Sequence, residues 1–332
     1  MTPGSVKRLD VFFYETFEEE EEELRLLLGT TCSYECSSKT IQETGHTQPP
    51  ARLISIRTQS TIPVSWSGTM GGVLSRSTGY DHLLAYQANI TKPLPLGYLN
   101  EYASRAVAEQ AILLALALQR KLPLQTKSFA TFARDGLTGA ECPGRNLLVV
   151  GVGRIGSEIY GISRALGFSV KGVDLVHNRT GVEYVSRDEG IAWADVIVCA
   201  MNLTGENRGY FSAELLKRTK PGSIFVNIAR GELSPVRDLL NSLDAKQLGG
   251  VGLDVFENEN ILGAALRTGG SDDTTEVRDI RRLAAYPNVI LTPHNAFNTR
   301  EALRRKSQMS VDQVKHFLEH NDFIWELKPI TR

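Results

Sequence analysis

Apolar residues recur along the chain in short, nearly continuous runs separated by turn-forming residues, as expected of strands buried on both faces of a parallel sheet. The first run, Leu9 to Tyr14, predicts a strand. The acidic stretch Glu18 to Glu23 then leads into LRLLL and predicts a helix, with carboxylates at its positive end. These glutamates are expected to form a solvated helix start without a role of their own. Three further strand candidates, CSYEC, ARLISIRT and GGVLSR, are set off by Gly, Pro and Thr. Residues 100–122 form the longest predicted helix, with Ala and Leu nearly all round its second half, so burial is expected, within the chain or between subunits.

A second series follows, in which LLVVGV, SVKGVDLV, VIVCAM, SIFVNIA, GVGLDVF and NVILTP alternate with helical segments. Together the two series predict an α/β protein with parallel sheets. A final helix, from about Arg300 to His320, comes after the last strand and is expected to pack back on the first domain. The polar insert Thr268 to Asp279 is expected to be a surface excursion.

The 332 residues exceed what a single core normally organises, so two domains are expected. Hydrophobic residues make up 42% and charged residues 23%, which excludes disordered, fibrous and collagenous classes. Lys and Arg number 37 against 38 Asp and Glu, leaving no basic excess to draw the chain to nucleic acid or anionic lipid. Four cysteines, Cys32, Cys36, Cys142 and Cys199, show no paired framework and point to a reducing cytoplasm. Cys32 and Cys36 lack a second ligand pair, so no metal is expected. The N-terminal stretch has no continuous apolar region, and no run reaches the roughly 20 residues of a membrane span, so neither export nor a membrane partner is expected.

The motif with the most chemistry lies in NLLVVGVGRIGSEIYG, where Gly151, Gly153 and Gly156 follow an apolar strand and open a helix. In such a loop the first glycine permits a tight turn, the second lets backbone approach a pyrophosphate, and the third allows close helix-to-strand packing. The helix N-terminus then faces phosphate. Asp174 ends the next strand, 18 residues (174 − 156) after Gly156, where a carboxylate can hydrogen-bond ribose hydroxyls. A carboxylate there would repel a 2′-phosphate and so favours NAD over NADP; His177 and Arg179 lie close behind it.

Three further polar residues each follow an apolar strand, at the edge where a parallel sheet presents ligands: Arg230 in FVNIARG, Glu259 in DVFENE and His294 in LTPHNAF. Arg230 offers a planar fork to a carboxylate or forms a structural ion pair. A carboxylate such as Glu259 would stabilise a protonated His294 and let it act as an acid, although a core histidine is also compatible with the spacing.

The strings GVGRIG, FVNIARGELSP, GGVGLDVFENE and NVILTPHNAF, in this order, resemble the D-isomer-specific 2-hydroxyacid dehydrogenase family. With SRSTGYDHL and YASRAVAEQ upstream, the similarity covers nearly the whole chain, and TPHNAFNTREAL brings it nearest to the D-lactate dehydrogenase branch, including the vancomycin-resistance type. The resemblance implies two Rossmann-like domains with an interdomain active-site cleft: a discontinuous substrate domain of residues 1–99 and 299–332, and an NAD-binding domain of residues 100–298. It implies NAD-dependent hydride transfer to or from the 2-carbon of a small 2-keto or 2-hydroxy acid. His294 would be the general acid or base, Glu259 would raise its pKa, and Arg230 would clamp the substrate carboxylate. Backbone amides around Thr78 and Gly79, after Ser77, would receive the other carboxylate oxygen, with Tyr102 touching substrate and Phe297 lining its pocket. The cofactor contacts implied are Gly151, Gly153, Arg154, Ile155, Gly156, Asp174, Ala229 and, for the nicotinamide carboxamide, Asp254. The helix near residues 103–122 resembles the family's dimer element.

One departure is that VIVCAMN carries Cys199 and Met201 where many relatives have His and Pro. Two alternatives share the fold: an NAD-sensing corepressor-like binding protein, and a phosphite dehydrogenase. A formate dehydrogenase would carry Gln where Glu259 stands.

Overall fold

The structure is a computed structural model that describes residues 8–268 and 274–328. The chain begins with strand β1 (Leu9–Phe13), helix α1 (Glu18–Leu28), β2 (Tyr34–Cys36), α2 (Ile41–Thr44), β3 (Ala51–Ile56), β4 (Gly72–Ser75), α3 (Asp81–Asn89) and β5 (Leu96–Gly97). It continues through α4 (Ser104–Gln119), α5 (Leu122–Ser128), β6 (Asn146–Val150), α6 (Arg154–Ala165), β7 (Ser169–Val173), α7 (Arg187–Trp193) and β8 (Val196–Cys199). Then come α8 (Ala213–Leu216), β9 (Ser223–Asn227), α9 (Val236–Asp244), β10 (Leu248–Leu253), α10 (Glu259–Thr268), α11 (Thr275–Ala284), β11 (Val289–Leu291) and α12 (Arg300–His320). Contacts divide the chain into two compact units, one of residues up to Ala103 together with those from Thr299 onward, the other Ser104–Asn298. No described helix is long and apolar enough to cross a membrane.

In the first unit, five described strands form a parallel sheet in the order β2-β1-β3-β4-β5. Helix α12 packs on α1 and β4 because Leu303, Lys306, Ser307, Ser310, Val311, Val314 and Phe317 recur at three- and four-residue spacing along its buried face. At 21 residues α12, not the segment after residue 100, is the longest described helix. That segment forms the 16-residue α4, which stops before Lys121 takes a left-handed φ of 54° and Pro123 follows. Nor is its second half buried all round within the chain, for Leu113 is exposed.

The acidic helix start also departs from expectation. Glu20 shares the buried face of α1 with Leu24 and Leu28, four and eight residues on, and is fully enclosed. Its carboxylate lies 2.9 Å from Arg76 Nε and 2.6 Å from Lys306 Nζ, both also fully buried. Only the other glutamates of the run that point outward behave as a solvated face.

In the second unit, six described strands form a parallel sheet in the order β11-β10-β9-β8-β6-β7. Period-two alternation divides each apolar run between the two faces. Leu147 and Val149 join α4 and α6 in one core, while Leu148 and Val150 join Phe211, Leu239 and Leu283 in the other. Strand β6 lies between β7 and β8, so the chain winds outward in both directions from it, and the loops after β6 and β8 flank a switch point. Part of the polar insert is helix rather than excursion: Val277, Ile280 and Leu283 are buried along α11, which packs on α9. Residues 269–273 of that insert lie outside the described residues.

The buried ion cluster generates a prediction. Burial favours protonation of Glu20, but Arg76, Lys306 and Arg57 outweigh it and hold the carboxyl at about 2. Its stabilising charge is therefore present above the ordinary carboxylate range and is lost as pH falls toward that value. Glu20→Gln leaves buried Arg76 without its counter-charge and drives Lys306, which burial already lowers to about 7, toward the neutral amine, and should cost about 3–5 kcal/mol in urea unfolding. Lys306→Met leaves the Glu20–Arg76 pair intact and should be nearly neutral, and the difference between the variants should shrink in acid.

Candidate active site

The glycine loop sits at the C-terminal end of β6, and its glycines are held by unequal constraints. Gly151 has φ +93°, and a Cβ there would lie 2.5 Å from the Met201 backbone of the neighbouring loop. At Gly156 a Cβ would come within 1.9 Å of the Gly151 carbonyl oxygen. Gly153, just before α6, differs: an added Cβ would meet nothing within 4 Å. Two glycines are thus demanded by the protein's own packing, whereas Gly153 borders open space beside the first-turn amides of α6, contributed by Arg154, Ile155 and Gly156.

Asp174 follows β7, and its carboxylate accepts from the Val152 amide at 2.6 Å and from the Val176 amide at 3.0 Å. The same side chain therefore ties the glycine loop to the end of β7. Behind it His177 stacks on Tyr184 at 4.2 Å, and the Arg179 amide donates to the Tyr184 hydroxyl.

Three loops at the ends of β9, β10 and β11 bring Arg230, Glu259 and His294 into one cluster. Asn227 is fully buried at the end of β9; its amide group donates to the Arg230 carbonyl and to Ser234 Oγ, while its carbonyl oxygen accepts from Ala229 N. This network shapes the turn that presents Arg230. A Cβ on Gly231 would fall 2.0 Å from the Phe256 carbonyl carbon, so the Arg230 turn lies directly against the backbone leading to Glu259.

Glu259 begins α10, immediately after Asn258, which has a left-handed φ of 51°. One carboxylate oxygen accepts from the Phe256 amide at 3.1 Å, and the other meets His294 Nδ1 at 2.7 Å. Burial would push the Glu259 carboxyl up, but His294, the Phe256 amide and Arg230 outweigh it and hold it below the usual carboxylate range. With Nδ1 engaged, Nε2 is the ring nitrogen left to act, and no described residue bonds it.

His294 itself adopts φ 50°, a conformation costing a non-glycine residue roughly 1–2 kcal/mol. Fully buried Asp254 holds the turn there. It accepts from Thr292 Oγ1 at 2.5 Å, Asn295 N at 2.9 Å and Ala296 N at 2.9 Å. Burial pushes its carboxyl up against the opposing pull of those bonds and of His294. Asp254 is thus occupied with the histidine turn, a contact its sequence spacing does not reveal. Phe297 is buried just beyond this turn.

The other sequence candidates lie in the first unit. Ser77, Thr78 and Gly79 form a turn after β4, and Tyr102 is almost wholly buried with its carbonyl accepting from Arg305 Nε at 2.7 Å. Cys199, at a departure from the resembling sequences, is a core residue, and burial pushes its thiol up to about 12. Asn227 and Thr292 went unnoticed in the sequence; each is a polar residue at the end of an apolar strand, which is the one local signal they give.

Residues 112–296 match the family model described as D-isomer specific 2-hydroxyacid dehydrogenase, NAD binding domain. The chain belongs to the D-isomer-specific 2-hydroxyacid dehydrogenase family. It is 34% identical over 211 residues to a 2-hydroxyacid dehydrogenase homolog of Zymomonas mobilis, an alignment covering 61% of this chain and 62% of that protein. It is 31% identical over 260 residues to a D-lactate dehydrogenase of Streptococcus agalactiae, covering 74% and 76% respectively. Its fold superimposes on the crystal structure of D-lactate dehydrogenase from Aquifex aeolicus complexed with NAD and lactic acid, with a TM-score of 0.83, 27% identity and coverage of 94% and 96%.

The second unit therefore carries the family's NAD-binding domain, and the glycine loop fits that cofactor: the space beside Gly153 is what a pyrophosphate needs and what a methyl group would fill. Gly153→Ala should leave the melting temperature of the free protein nearly unchanged while weakening NADH binding about tenfold or more, read by fluorescence titration. Gly156→Ala should instead cost about 1–3 kcal/mol of stability, because its Cβ has nowhere to go.

Proposed function

We propose that this protein is an NAD-dependent D-2-hydroxyacid dehydrogenase that reversibly reduces a small 2-keto acid of the pyruvate class. The observation that carries the reading is the 2.7 Å pair between Glu259 and His294 Nδ1, with Arg230 in the same cluster. In this reading His294 Nε2 donates its proton to the keto oxygen, and the neutral imidazole takes it back in the reverse direction. Glu259 stays ionised below the usual carboxylate range and so supplies the counter-charge that stabilises the imidazolium. Arg230 forks the substrate carboxylate and polarises the keto group. The Thr78 and Gly79 amides receive the other carboxylate oxygen, and Tyr102 and Phe297 border the substrate. NADH, when bound, supplies the hydride that adds to the 2-carbon.

Gly151, Gly153, Arg154, Ile155, Gly156 and Ala229 would hold the cofactor, with Asp174 on the adenosine ribose. Asp254 would act toward the nicotinamide carboxamide through the turn that it anchors. Residues up to 99 and from 299 would serve as the substrate domain, and residues 100–298 as the cofactor domain. The reading places the protein in the cytoplasm as a homodimer formed through α4 and the segment after it, where Leu113, Leu122, Phe129 and Phe132 expose apolar side chains.

A panel of 2-keto acids, with phosphite and formate as alternatives, tests the assignment when NAD(H) turnover and product chirality are both measured. D-2-hydroxy product is expected; the absence of any 2-keto-acid turnover, or an L product, would refute it. His294→Asn should lower kcat by about 10²–10⁴ while leaving NADH affinity within about twofold. Glu259→Gln should lower kcat by about tenfold or more while leaving NADH affinity within about twofold, because His294 Nδ1 loses its charged partner.

A further inference from the structure

The turn Ser77-Thr78-Gly79 is reached by a chain of side-chain hydrogen bonds that the proposed reaction does not use. Ser77 Oγ donates to the Gly79 carbonyl at 2.7 Å, Ser75 Oγ lies 2.7 Å from Ser77 Oγ, and His82 Nε2 lies 2.8 Å from Ser75 Oγ. Counting protons gives the chain a direction. The one hydroxyl proton of Ser77 is committed to a carbonyl, which cannot donate, so Ser75 must donate to Ser77. The Ser75 proton is then spent, so His82 must carry its proton on Nε2 and donate to Ser75. The run is His82 Nε2–H to Ser75 to Ser77 to the Gly79 carbonyl, and each link is of normal length.

The last link spans the φ and ψ angles of Thr78 and Gly79, and so sets the direction of the two amides. Gly79 would otherwise sample a wide range of backbone angles. Other contacts fix the rest of the turn. The Leu99 amide donates to the Ser77 carbonyl at 3.1 Å, and Thr78 Oγ1 donates to the Asn100 carbonyl at 3.3 Å. Arg76 points to the opposite face, as strand alternation requires, and donates to Glu20, to Ser55 Oγ and to the Tyr14 carbonyl at the end of β1. Among the described residues, none accepts a hydrogen bond from the amides of Thr78 or Gly79. A turn braced on both faces of its sheet thus presents two adjacent donors that no described residue bonds.

We propose that His82, Ser75 and Ser77 are positioning residues, a directed hydrogen-bond chain that aims the Thr78 and Gly79 amides at the carboxylate of the substrate. The proposal rests on the reading above in which those amides receive a carboxylate. It assigns His82 and Ser75 a specific effect on substrate affinity, although neither touches substrate.

The test compares His82→Leu and Ser75→Ala, which break the chain, with His82→Gln, whose side-chain NH2 can replace the Nε2 donor. Pyruvate and NADH kinetics are measured alongside binding of oxamate, an unreactive carboxylate analogue, to the NADH-loaded protein. The two breaking variants should raise KM for the keto acid and the oxamate Kd by about tenfold, the effect of one lost hydrogen bond, with KM for NADH unchanged. His82→Gln should return both to within about twofold of wild type. Ser75→Ala deletes a single oxygen, so it remains informative should His82→Leu fold poorly. Unchanged substrate KM in Ser75→Ala would overturn the proposal. So would a uniform loss of kcat, both KM values and melting temperature that Gln does not reverse. Wild-type protein that binds NADH but no oxamate would instead overturn the carboxylate reading itself, and this proposal with it.

Discussion

The carboxylate of Asp254 is the constraint on which the candidate active site depends. A buried acid at the end of β10 accepts three hydrogen bonds from the turn after β11, and that turn contains His294 in a left-handed conformation. A residue of this kind prefers other backbone angles, so the conformation persists only where surrounding bonds over-determine it. Asp254 supplies those bonds from a neighbouring strand, and β10 and β11 are held in register by the sheet. The imidazole is therefore aimed by the sheet rather than by its own loop. A second left-handed residue, Asn258, turns the chain so that Glu259 meets it.

The same economy runs through the rest of the second unit, where backbone packs against backbone wherever two loops must converge. Gly231 lets the Arg230 turn rest on the chain before Glu259, and Gly156 lets α6 rest on the glycine loop. Gly153 alone in that loop is unconstrained by the protein, which separates a glycine needed for folding from one needed by a ligand. Polar side chains at strand ends then fasten the loops: Asn227 after β9, Asp254 after β10 and Asp174 after β7 each bond backbone groups of an adjacent turn. Each is buried or half-buried and bonded, as a polar group removed from water must be.

The first unit solves a related problem with charge. Its closing helix comes from the far end of the chain, and Lys306 on that helix meets Glu20 of α1 and, through it, Arg76 at the end of β4. Removing three ionic groups from water is costly unless each finds partners, so the cluster specifies one arrangement of α1, β4 and α12 more than it adds stability. Arg76 then extends that arrangement to the turn carrying Thr78 and Gly79.

Much of this was legible in the sequence. Short runs in the sequence marked every described strand except the two-residue β5, and most of them are apolar because a strand covered on both faces must be, a demand that is local. The glycine spacing, and Arg230, Glu259 and His294 each placed after such a run, were readable for the same reason: strand ends at one edge of a parallel sheet converge. Sequence alone could not show that Glu20 is buried while Glu18, Glu19 and Glu22 of the same acidic run are exposed, since the partners that neutralise it lie 56 and 286 residues away (76 − 20 and 306 − 20). Nor could it show that Asp254 holds the histidine turn, that His82 reaches Ser77 through Ser75, or that the polar insert folds partly into a helix on α9. Periodicity records which face of an element avoids water; which distant polar group satisfies a buried one is a property of three-dimensional proximity, and only the tertiary structure decides it.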